Sequence, residues 1–185
     1  NNLLFTKGKK MKVLEFLEIS LYSLVQGITE FLPISSSAHL FILEKILNWP
    51  IPGRTMAISA HLGSLFAVVL YLKYDLINII KSLFKAKNYY QDNNIKLVKN
   101  IVIITIPIIL VGLFIFKNLD DKLLTLNVLA WSSIIGATLL FISDKIKTKE
   151  KMIFSLSFLE CLFIGILQVF ALIPGASRSG TIITA

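Results

Sequence analysis

The sequence predicts an all-α integral membrane protein, built as an inverted-topology repeat with re-entrant broken helices. Three observations predict this fold: the composition, three long apolar segments, and two similar segments that are each interrupted by proline. Of the 185 residues, 55% are hydrophobic and 16% are charged, and the mean hydropathy is +0.76. Soluble domains carry about 25% charged residues, so this chain lacks the charge that a water-facing surface requires.

Three segments are long and apolar enough to cross a bilayer as helices: Met56–Leu72, Asn100–Phe116 and Leu123–Ser143. A hydrocarbon core of about 30 Å needs roughly 20 helical residues. Pro107 predicts a kink in the second segment, because proline removes a backbone hydrogen bond. The sequence therefore predicts three successive crossings.

The connectors carry most of the lysines, in short clusters. The positive-inside rule places the Lys73–Lys99 and Asp144–Lys151 connectors in the cytoplasm, and the balanced Lys117–Lys122 turn outside. Residues Asp75–Phe84 are predicted to form an amphipathic helix in the membrane interface. The formal net charge of +8 is thus interpreted as membrane topology, with membrane lipid and no nucleic acid as partner. A single cysteine, Cys161, offers no disulfide or metal framework.

The domain organisation is predicted as one membrane domain over residues 11–185. Residues 1–10 precede Met11 and are polar and rich in lysine, so they are interpreted as an upstream extension. The chain ends just after a Gly-x-Ser-Arg-Ser-Gly motif that opens another helix. We therefore expect the domain to be incomplete at its C-terminus.

The two interrupted segments, Val13–Leu32 and Met152–Ile173, share a pattern. In each, a Leu-Glu pair is followed by a glutamine eight residues after the glutamate, then by a proline and a serine: Glu18, Gln26, Pro33 and Ser35, and Glu160, Gln168, Pro174 and Ser177. Because three crossings separate them, the second copy enters from the opposite face. Irregular backbone at such a depth is tolerated where it is buried in protein or lines a wet cavity.

The first interruption gathers polar groups that are costly in a membrane. Gln26 and Glu30 are four residues apart and share a helical face. If Ser35 begins the next helix, His39 lies one turn along and can reach Ser35 or Ser36. A charge at mid-bilayer costs about 2.5–3.5 kcal/mol on insertion scales, so such a residue usually has a functional partner. Helix capping accounts for one of the three serines. The structural alternatives are that His39 is a core histidine and that Glu30 forms an ion pair with Arg178.

The second interruption reads Pro174-Gly175-Ala-Ser177-Arg178-Ser179-Gly180. Flanking glycines allow the backbone amides to form an anion-binding nest, and a helix N-terminus follows. The guanidinium of Arg178 matches phosphate oxygens in a bidentate manner. This loop is therefore predicted to bind phosphate.

The two motifs, Gln-Gly-Ile-Thr-Glu-Phe-Leu-Pro-Ile-Ser-Ser-Ser-Ala-His-Leu and Leu-Ile-Pro-Gly-Ala-Ser-Arg-Ser-Gly-Thr-Ile, resemble those of the undecaprenyl-diphosphate phosphatases. The resemblance covers the chain from about Val13 to its end. It implies a multi-pass enzyme of the bacterial inner membrane that hydrolyses undecaprenyl diphosphate to the monophosphate carrier of cell-wall synthesis, often with tolerance of bacitracin. One departure is His61, which stands where the family usually has glutamine. The family also continues with further helices after the second motif.

The resemblance and the loop chemistry together assign the site residues. The predicted catalytic residues are Glu30, Ser36, His39 and Arg178. Phosphate contacts are expected from Ser35, Ser37, Gly175, Ser177, Ser179 and Gly180, and supporting polar contacts from Gln26, His61 and Gln168.

The hypothetical mechanism gives each catalytic group a role. Ser36 is the nucleophile or a phosphate ligand, and His39 is the general base. Glu30 orients His39 or binds a divalent cation, Mg²⁺ or Ca²⁺. The substrate is a polyprenyl diphosphate lipid, and a homodimer is left open. The rival reading is an inverted-repeat transporter or lipid flippase, for which the Ser/His pair has no use.

Overall fold

The computed structural model describes residues 2–48, 53–85, 91–118, 125–146 and 151–185, and every regular element within these ranges is helical. The predicted all-α fold is therefore confirmed. Single turns of 3-10 helix lie at Ile153–Ser155 and Phe170–Leu172. The helices are α1 (Asn2–Phe31), α2 (Ser36–Leu47), α3 (Gly53–Tyr71), α4 (Lys73–Lys85), α5 (Asn93–Asn118), α6 (Leu126–Lys145), α7 (Phe158–Val169) and α8 (Arg178–Thr184).

Two helices are long and apolar enough to cross a membrane, over Asn93–Ile115 in α5 and Leu126–Lys145 in α6. They match the second and third predicted crossings, and Pro107 lies inside α5. The first predicted crossing is only partly confirmed. Helix α3 qualifies as a span only together with α4, and the two are bent by 71° where they meet. The predicted amphipathic segment is thus a separate helix, and its place in the interface stays a prediction.

Several topology predictions fall on residues outside the described ranges. These include Lys87 of the first connector, residues 119–122 of the turn between α5 and α6, and residues 147–150 of the connector after α6. The sidedness of the connectors therefore stays a prediction. Helix α1 runs unbroken through Met11, and the predicted division at residue 10 also stays a prediction.

Most apolar side chains on the crossing helices face outward. Only 11% of the apolar window of α5 and 6% of that of α6 is buried within the protein. Exposed large side chains such as Leu110 and Trp131 would destabilise the protein in water, whereas lipid tails solvate them at no cost. This outward apolar surface defines an integral membrane protein.

The chain breaks twice, once between α1 and α2 and once between α7 and α8. The first break (residues 32–35) contains Pro33, which disfavours helical backbone in the residue before it. The second break (residues 173–177) contains Pro174 and follows the short helix α7. Both predicted helix–break–helix units are therefore confirmed.

Helix α7 packs closely on α5. A Cβ added to Gly165 would lie 2.6 Å from the Ile104 carbonyl oxygen and 3.0 Å from Cγ of Pro107. Glycine therefore permits this approach, and Cys161, one turn earlier, is fully buried. The short helix is held in place by its neighbour although it is too short to cross the membrane.

The second break is anchored to α6 by two serine hydroxyls. Ser132 Oγ donates to the Pro174 carbonyl at 2.5 Å, and Ser133 Oγ donates to the Gly175 carbonyl at 3.1 Å. These bonds satisfy carbonyls that the interrupted helix leaves without a partner. Gly175 has a φ of +94°, which side-chain-bearing residues rarely adopt.

Replacing Gly175 by alanine is expected to destabilise the fold by about 3 kcal/mol, through strain and overlap together. A Cβ at this position would lie 2.2 Å from Ser132 Oγ and 2.6 Å from the Leu129 carbonyl oxygen. Thermal unfolding in detergent measures the loss. Gly136→Ala is the control, because a Cβ there meets nothing within 4 Å. Equal unfolding temperatures for the two variants would contradict the anchoring of the break on α6.

Candidate active site

Glu30, near the C-terminal end of α1, is the centre of a polar cluster. Its Oε2 atom accepts a hydrogen bond from Ser36 Oγ at 2.6 Å and one from Gln26 Nε2 at 3.0 Å. Gln26 is fully buried and Ser36 is 9% exposed, whereas the Glu30 side chain is 29% exposed, so the carboxylate is accessible at the edge of a buried pair. Gln26 lies one helical turn before Glu30, as its spacing predicts. A buried hydroxyl bonded to a carboxylate can lose its proton to that carboxylate.

The position of Ser36 depends on an unusual backbone at Ser35. Ser35 has φ 56° and ψ 94°, and its side chain makes no capping bond to α2. A non-glycine residue in this region carries strain of about 1–3 kcal/mol, which the surrounding structure must compensate. Ser35 Oγ instead lies 3.2 Å from Ser37 Oγ. The tight reversal after Pro33 therefore turns Ser36, and not its neighbours, toward Glu30.

His39 contacts the backbone of Ser35. Its Nδ1 lies 2.9 Å from the Ser35 carbonyl oxygen, so Nδ1 donates in this contact because a carbonyl only accepts. Within the described part of the chain, Nε2 makes no hydrogen bond. His39 thus reaches Ser35, one of the two predicted partners, through the backbone, while Ser36 is bonded to Glu30. The imidazole is exposed and can meet a substrate at Nε2.

His61 joins the cluster from α3. Its Nε2 lies 3.5 Å from Oε2 of Glu30, while its Nδ1 donates to the Ala57 carbonyl at 2.7 Å. Because Nδ1 holds a proton in that bond, Nε2 can donate to Glu30 only when the ring is cationic. The interpretation of His61 as a polar contact near the site agrees with this position. No third side chain completes a metal cluster around it within the described residues.

The two breaks meet in space. Ser179 Oγ donates to the Leu32 carbonyl at 3.2 Å, across 147 residues of sequence. A Cβ added to Gly180 would lie 3.6 Å from the Pro33 carbonyl oxygen, so the start of α8 lies against the first break. The two interruptions therefore lie against each other in the structure.

Ser177 caps α8, with its hydroxyl accepting from the Gly180 amide at 3.2 Å. Ser177 Oγ also lies 3.0 Å from Ser179 Oγ. The Gly180 amide is thus occupied by the cap. A Cβ at Gly180 would meet the Ser177 side chain at 3.2 Å, and one at Gly175 would meet Ser132 Oγ and the Leu129 carbonyl, which gives both glycines packing roles. Their contact with phosphate stays a prediction.

Arg178 opens α8 beside this contact and is exposed. Among the described residues its guanidinium makes no hydrogen bond or ion pair, so the Glu30–Arg178 ion pair is not formed there. Its five donors are available to an anion. The amide of Gln168, which is half-buried on α7, likewise has no hydrogen-bond partner in the described ranges.

The donor atoms near Glu30 suit a hard cation. Gln26 Oε1 is buried and has no hydrogen-bond partner among the described residues. Glu30 and Gln26 therefore offer oxygen ligands of the kind that Mg²⁺ and Ca²⁺ prefer. Mg²⁺ is commonly held by one or two carboxylates together with substrate phosphates, so a cage of several acidic residues is not required.

Sequence reasoning missed the groups that support the site. Ser132 and Ser133, which anchor the second break, lie in the uncharged third crossing and carry no motif. Tyr22 donates from its hydroxyl to Glu44 Oε1 at 3.0 Å and fastens α1 to α2. Tyr22 lies one turn before Gln26, and this position on the polar face of α1 could have indicated that it supports the site.

These features together define an integral membrane protein with a carboxylate–serine pair across one helix break and an arginine directly after the other. A sequence model of the family described as bacitracin resistance protein BacA matches residues 19–185, and the chain belongs to that family.

Curated relatives support the same assignment. The chain is 40% identical to the undecaprenyl-diphosphatase of Pelagibacter ubique, over 91% of this chain and 62% of the relative. It is 36% identical to the undecaprenyl-diphosphatases of Saccharophagus degradans and Alcanivorax borkumensis, in each case over 93% of this chain and 65% of the relative. The chain thus spans a little under two thirds of the length of these relatives.

Proposed function

We propose that this protein hydrolyses undecaprenyl diphosphate to undecaprenyl phosphate and inorganic phosphate, and so recycles the lipid carrier of cell-wall synthesis. The proposal is supported by the names of the relatives and, above all, by one contact. Ser36 Oγ donates to Glu30 at 2.6 Å, across a break that touches the start of the helix bearing Arg178. A nucleophile or phosphate ligand, a proton acceptor and an anion-binding group are thus supplied by two adjoining loops.

In the proposed reaction, Glu30 takes the proton of Ser36 while Ser36 Oγ attacks the terminal phosphorus. The bond from that phosphorus to the bridging oxygen breaks, and undecaprenyl phosphate leaves with the bonding electrons. Water then releases inorganic phosphate from the serine. In the alternative route water attacks directly and Ser36 Oγ holds the phosphate. The Ser36–Glu30 bond supports proton transfer to Glu30 in the first route.

Arg178 would hold the diphosphate and stabilise the charge that develops on the transferring group. His39 Nε2 has no hydrogen-bond partner among the described residues, so it would accept a proton from the attacking water or donate one to the leaving oxygen. A bound divalent cation, held by Glu30 and Gln26 Oε1, would neutralise phosphate charge at this site.

The remaining proposals concern setting and partners. We infer that the protein is a multi-pass protein of the bacterial inner membrane, with the polyprenyl diphosphate lipid as substrate and a homodimer as a further hypothesis. No feature of the described residues favours a transporter or flippase, and the Ser36–Glu30 pair has no role in carrying an anion.

Phosphate release from undecaprenyl diphosphate in detergent micelles tests the function. Ser36→Ala is expected to lower turnover about 100-fold or more, because it removes the attacking or phosphate-binding hydroxyl. Ser20→Ala is the matched control, since Ser20 Oγ donates to the Phe16 carbonyl of its own helix and Ser20 belongs to neither break. Equal rates for the two variants would contradict the assignment of Ser36. Lipid uptake without phosphate release by the unmodified protein would favour the transporter alternative.

A further inference from the structure

Two side-chain hydrogen bonds join α1 to α2 at matching positions. Ser36 Oγ donates to Glu30 Oε2 at 2.6 Å, and the Tyr22 hydroxyl donates to Glu44 Oε1 at 3.0 Å. On each helix the two bonded residues are eight positions apart, which corresponds to about 12 Å along the axis. Equal spacing in opposite directions from the break is what two antiparallel helices in one fixed register give. The Tyr22–Glu44 bond therefore belongs to the same register that brings Ser36 to Glu30.

The side chains midway between the two bonds pack the interface. Gln26, midway on α1, is fully buried, and Leu40, midway on α2, is 3% exposed. Each lies about one helical turn from both of the bonded residues on its own helix. The Tyr22 ring is also buried. Closely packed side chains transmit displacement, so a shift of α2 at the Tyr22–Glu44 bond would also move its first turn.

The break leaves the first turn of α2 without its usual anchor. Ser35 occupies the N-cap position, yet its side chain makes no capping bond. Its φ of 56° is also unfavourable for a residue with a side chain, and such a conformation persists only where the surrounding structure enforces it. The turn alone therefore does not fix where Ser36 lies, and a contact further along α2 must do so.

The Tyr22–Glu44 bond is suited to this task. Glu44 is a half-buried carboxylate on an apolar helix, where an ionised group without a polar partner is costly. In the described part of the chain Glu44 forms no ion pair, and the Tyr22 hydroxyl is the donor to its carboxylate. A hydrogen bond to an ionised acceptor is stronger than one between neutral groups. Separation of α2 from α1 at this point would leave the carboxylate without its donor.

We propose that Tyr22 is a positioning residue for Ser36. Its bond to Glu44 fixes the register of α2 on α1, and this register holds the Ser36 hydroxyl on Glu30 in spite of the strained break. Tyr22 lies about two helical turns from Glu30, so it acts through α2 and does not touch the reacting atoms. The inference rests on the proposed function for the catalytic role of Ser36, whereas the position of Ser36 can be measured without turnover.

Steady-state phosphate release from undecaprenyl diphosphate in micelles tests the positioning role. Tyr22→Phe, which removes only the hydroxyl, is expected to lower kcat about tenfold and to leave KM within about twofold, because the groups that bind substrate are unchanged. Tyr74→Phe is the matched control, because Tyr74 is exposed on α4 and belongs to no part of the site. Equal kcat values for the two variants would overturn the proposal.

Substitutions of Glu44 separate positioning from a general effect on stability. Glu44→Leu is expected to lower kcat as Tyr22→Phe does, whereas Glu44→Gln keeps an acceptor for the Tyr22 hydroxyl and so keeps the bond. Tyr22→Phe combined with Glu44→Leu removes both polar groups, which is often nearly neutral for stability. The unfolding temperature of this double variant should recover toward that of the unmodified protein while kcat stays low. Recovery of kcat together with stability would show a structural role alone and overturn the proposal.

Alkylation of a thiol at position 36 tests the register without requiring turnover. In a Cys161→Ser background, Ser36→Cys supplies the single thiol of the chain at a buried position. Adding Tyr22→Phe is expected to speed its reaction with iodoacetamide about fivefold or more, and adding Tyr74→Phe to leave the rate within about twofold. Equal rates overturn the proposal, whether or not the protein releases phosphate, whereas a faster rate in a protein without phosphatase activity supports the positioning and contradicts only the proposed function. Glu44→Leu replaces Tyr22→Phe if the latter unfolds.

Discussion

Glu30→Gln is expected to reduce phosphate release from undecaprenyl diphosphate by about 10²–10⁴-fold, the range typical of a lost general base. The amide has nearly the same shape as the carboxylate and can still accept a hydrogen bond from Ser36. It cannot take the proton, and it carries no charge to attract a cation. The loss should therefore fall on turnover, with the fold retained, and steady-state kinetics in micelles measure it.

Glu44→Gln provides the matched control for this experiment. Glu44 is also a half-buried carboxylate that accepts from a hydroxyl, in this case that of Tyr22. Its partner is not a candidate nucleophile, so turnover should remain within about threefold. Activity of Glu30→Gln equal to that of Glu44→Gln would show that Glu30 is a structural hydrogen-bond acceptor.

Arg178→Ala is expected to lower the specificity constant about 100-fold or more, and Arg178→Lys to recover no more than about a tenth of the normal value. The guanidinium makes no polar contact with the described residues, so its removal leaves no described partner exposed. Lysine restores the charge but not the planar pair of donors that matches phosphate oxygens. The same phosphate-release assay, across substrate concentrations, separates binding from turnover.

Lys145→Ala is the control for loss of one positive charge. The Lys145 ammonium lies 5.3 Å from the centre of the Phe141 ring at the end of α6 and belongs to no part of the site. Turnover of that variant should be close to normal. Full activity of Arg178→Lys would contradict bidentate phosphate recognition, since a point charge would then be sufficient.

Much of the architecture could be predicted because its causes are local. Apolar length indicated α5 and α6, and Pro33 and Pro174 indicated the two breaks. The four-residue spacing of Gln26 and Glu30 predicted a shared face, which is a property of any helix. Each of these inferences depends on neighbours within a few residues.

The hydrogen-bond partners inside the site could not be predicted in the same way. Which serine turns toward Glu30 is decided by the left-handed backbone of Ser35, and a serine in that conformation has no sequence signature. Of the two partners expected for His39, it therefore contacts Ser35, whereas Ser36 is bonded to Glu30. The anchoring by Ser132 and Ser133 depends on residues 42 positions away in sequence, which no local pattern encodes.

The bend between α3 and α4 shows a further limit of apolar length as a signal. The segment 56–72 has the length of a crossing, but Leu72 lies at the turn where the chain changes direction by 71°. Composition reports how apolar a stretch is, whereas the direction of the next helix depends on its packing. In the structure α4 packs against α5, and Asn94 Nδ2 donates to Ser82 Oγ at 2.8 Å.

Thiol cross-linking between the two breaks tests most directly whether they form one site. In a Cys161→Ser background, which removes the single native thiol, Leu32→Cys and Ser179→Cys are combined. Ser179 Oγ lies 3.2 Å from the Leu32 carbonyl, so a short, flexible bifunctional thiol cross-linker should join the two cysteines within one chain. The single-cysteine variants control for links between chains. Rapid intramolecular cross-linking is the expected result, and its absence in folded protein would contradict a shared active site.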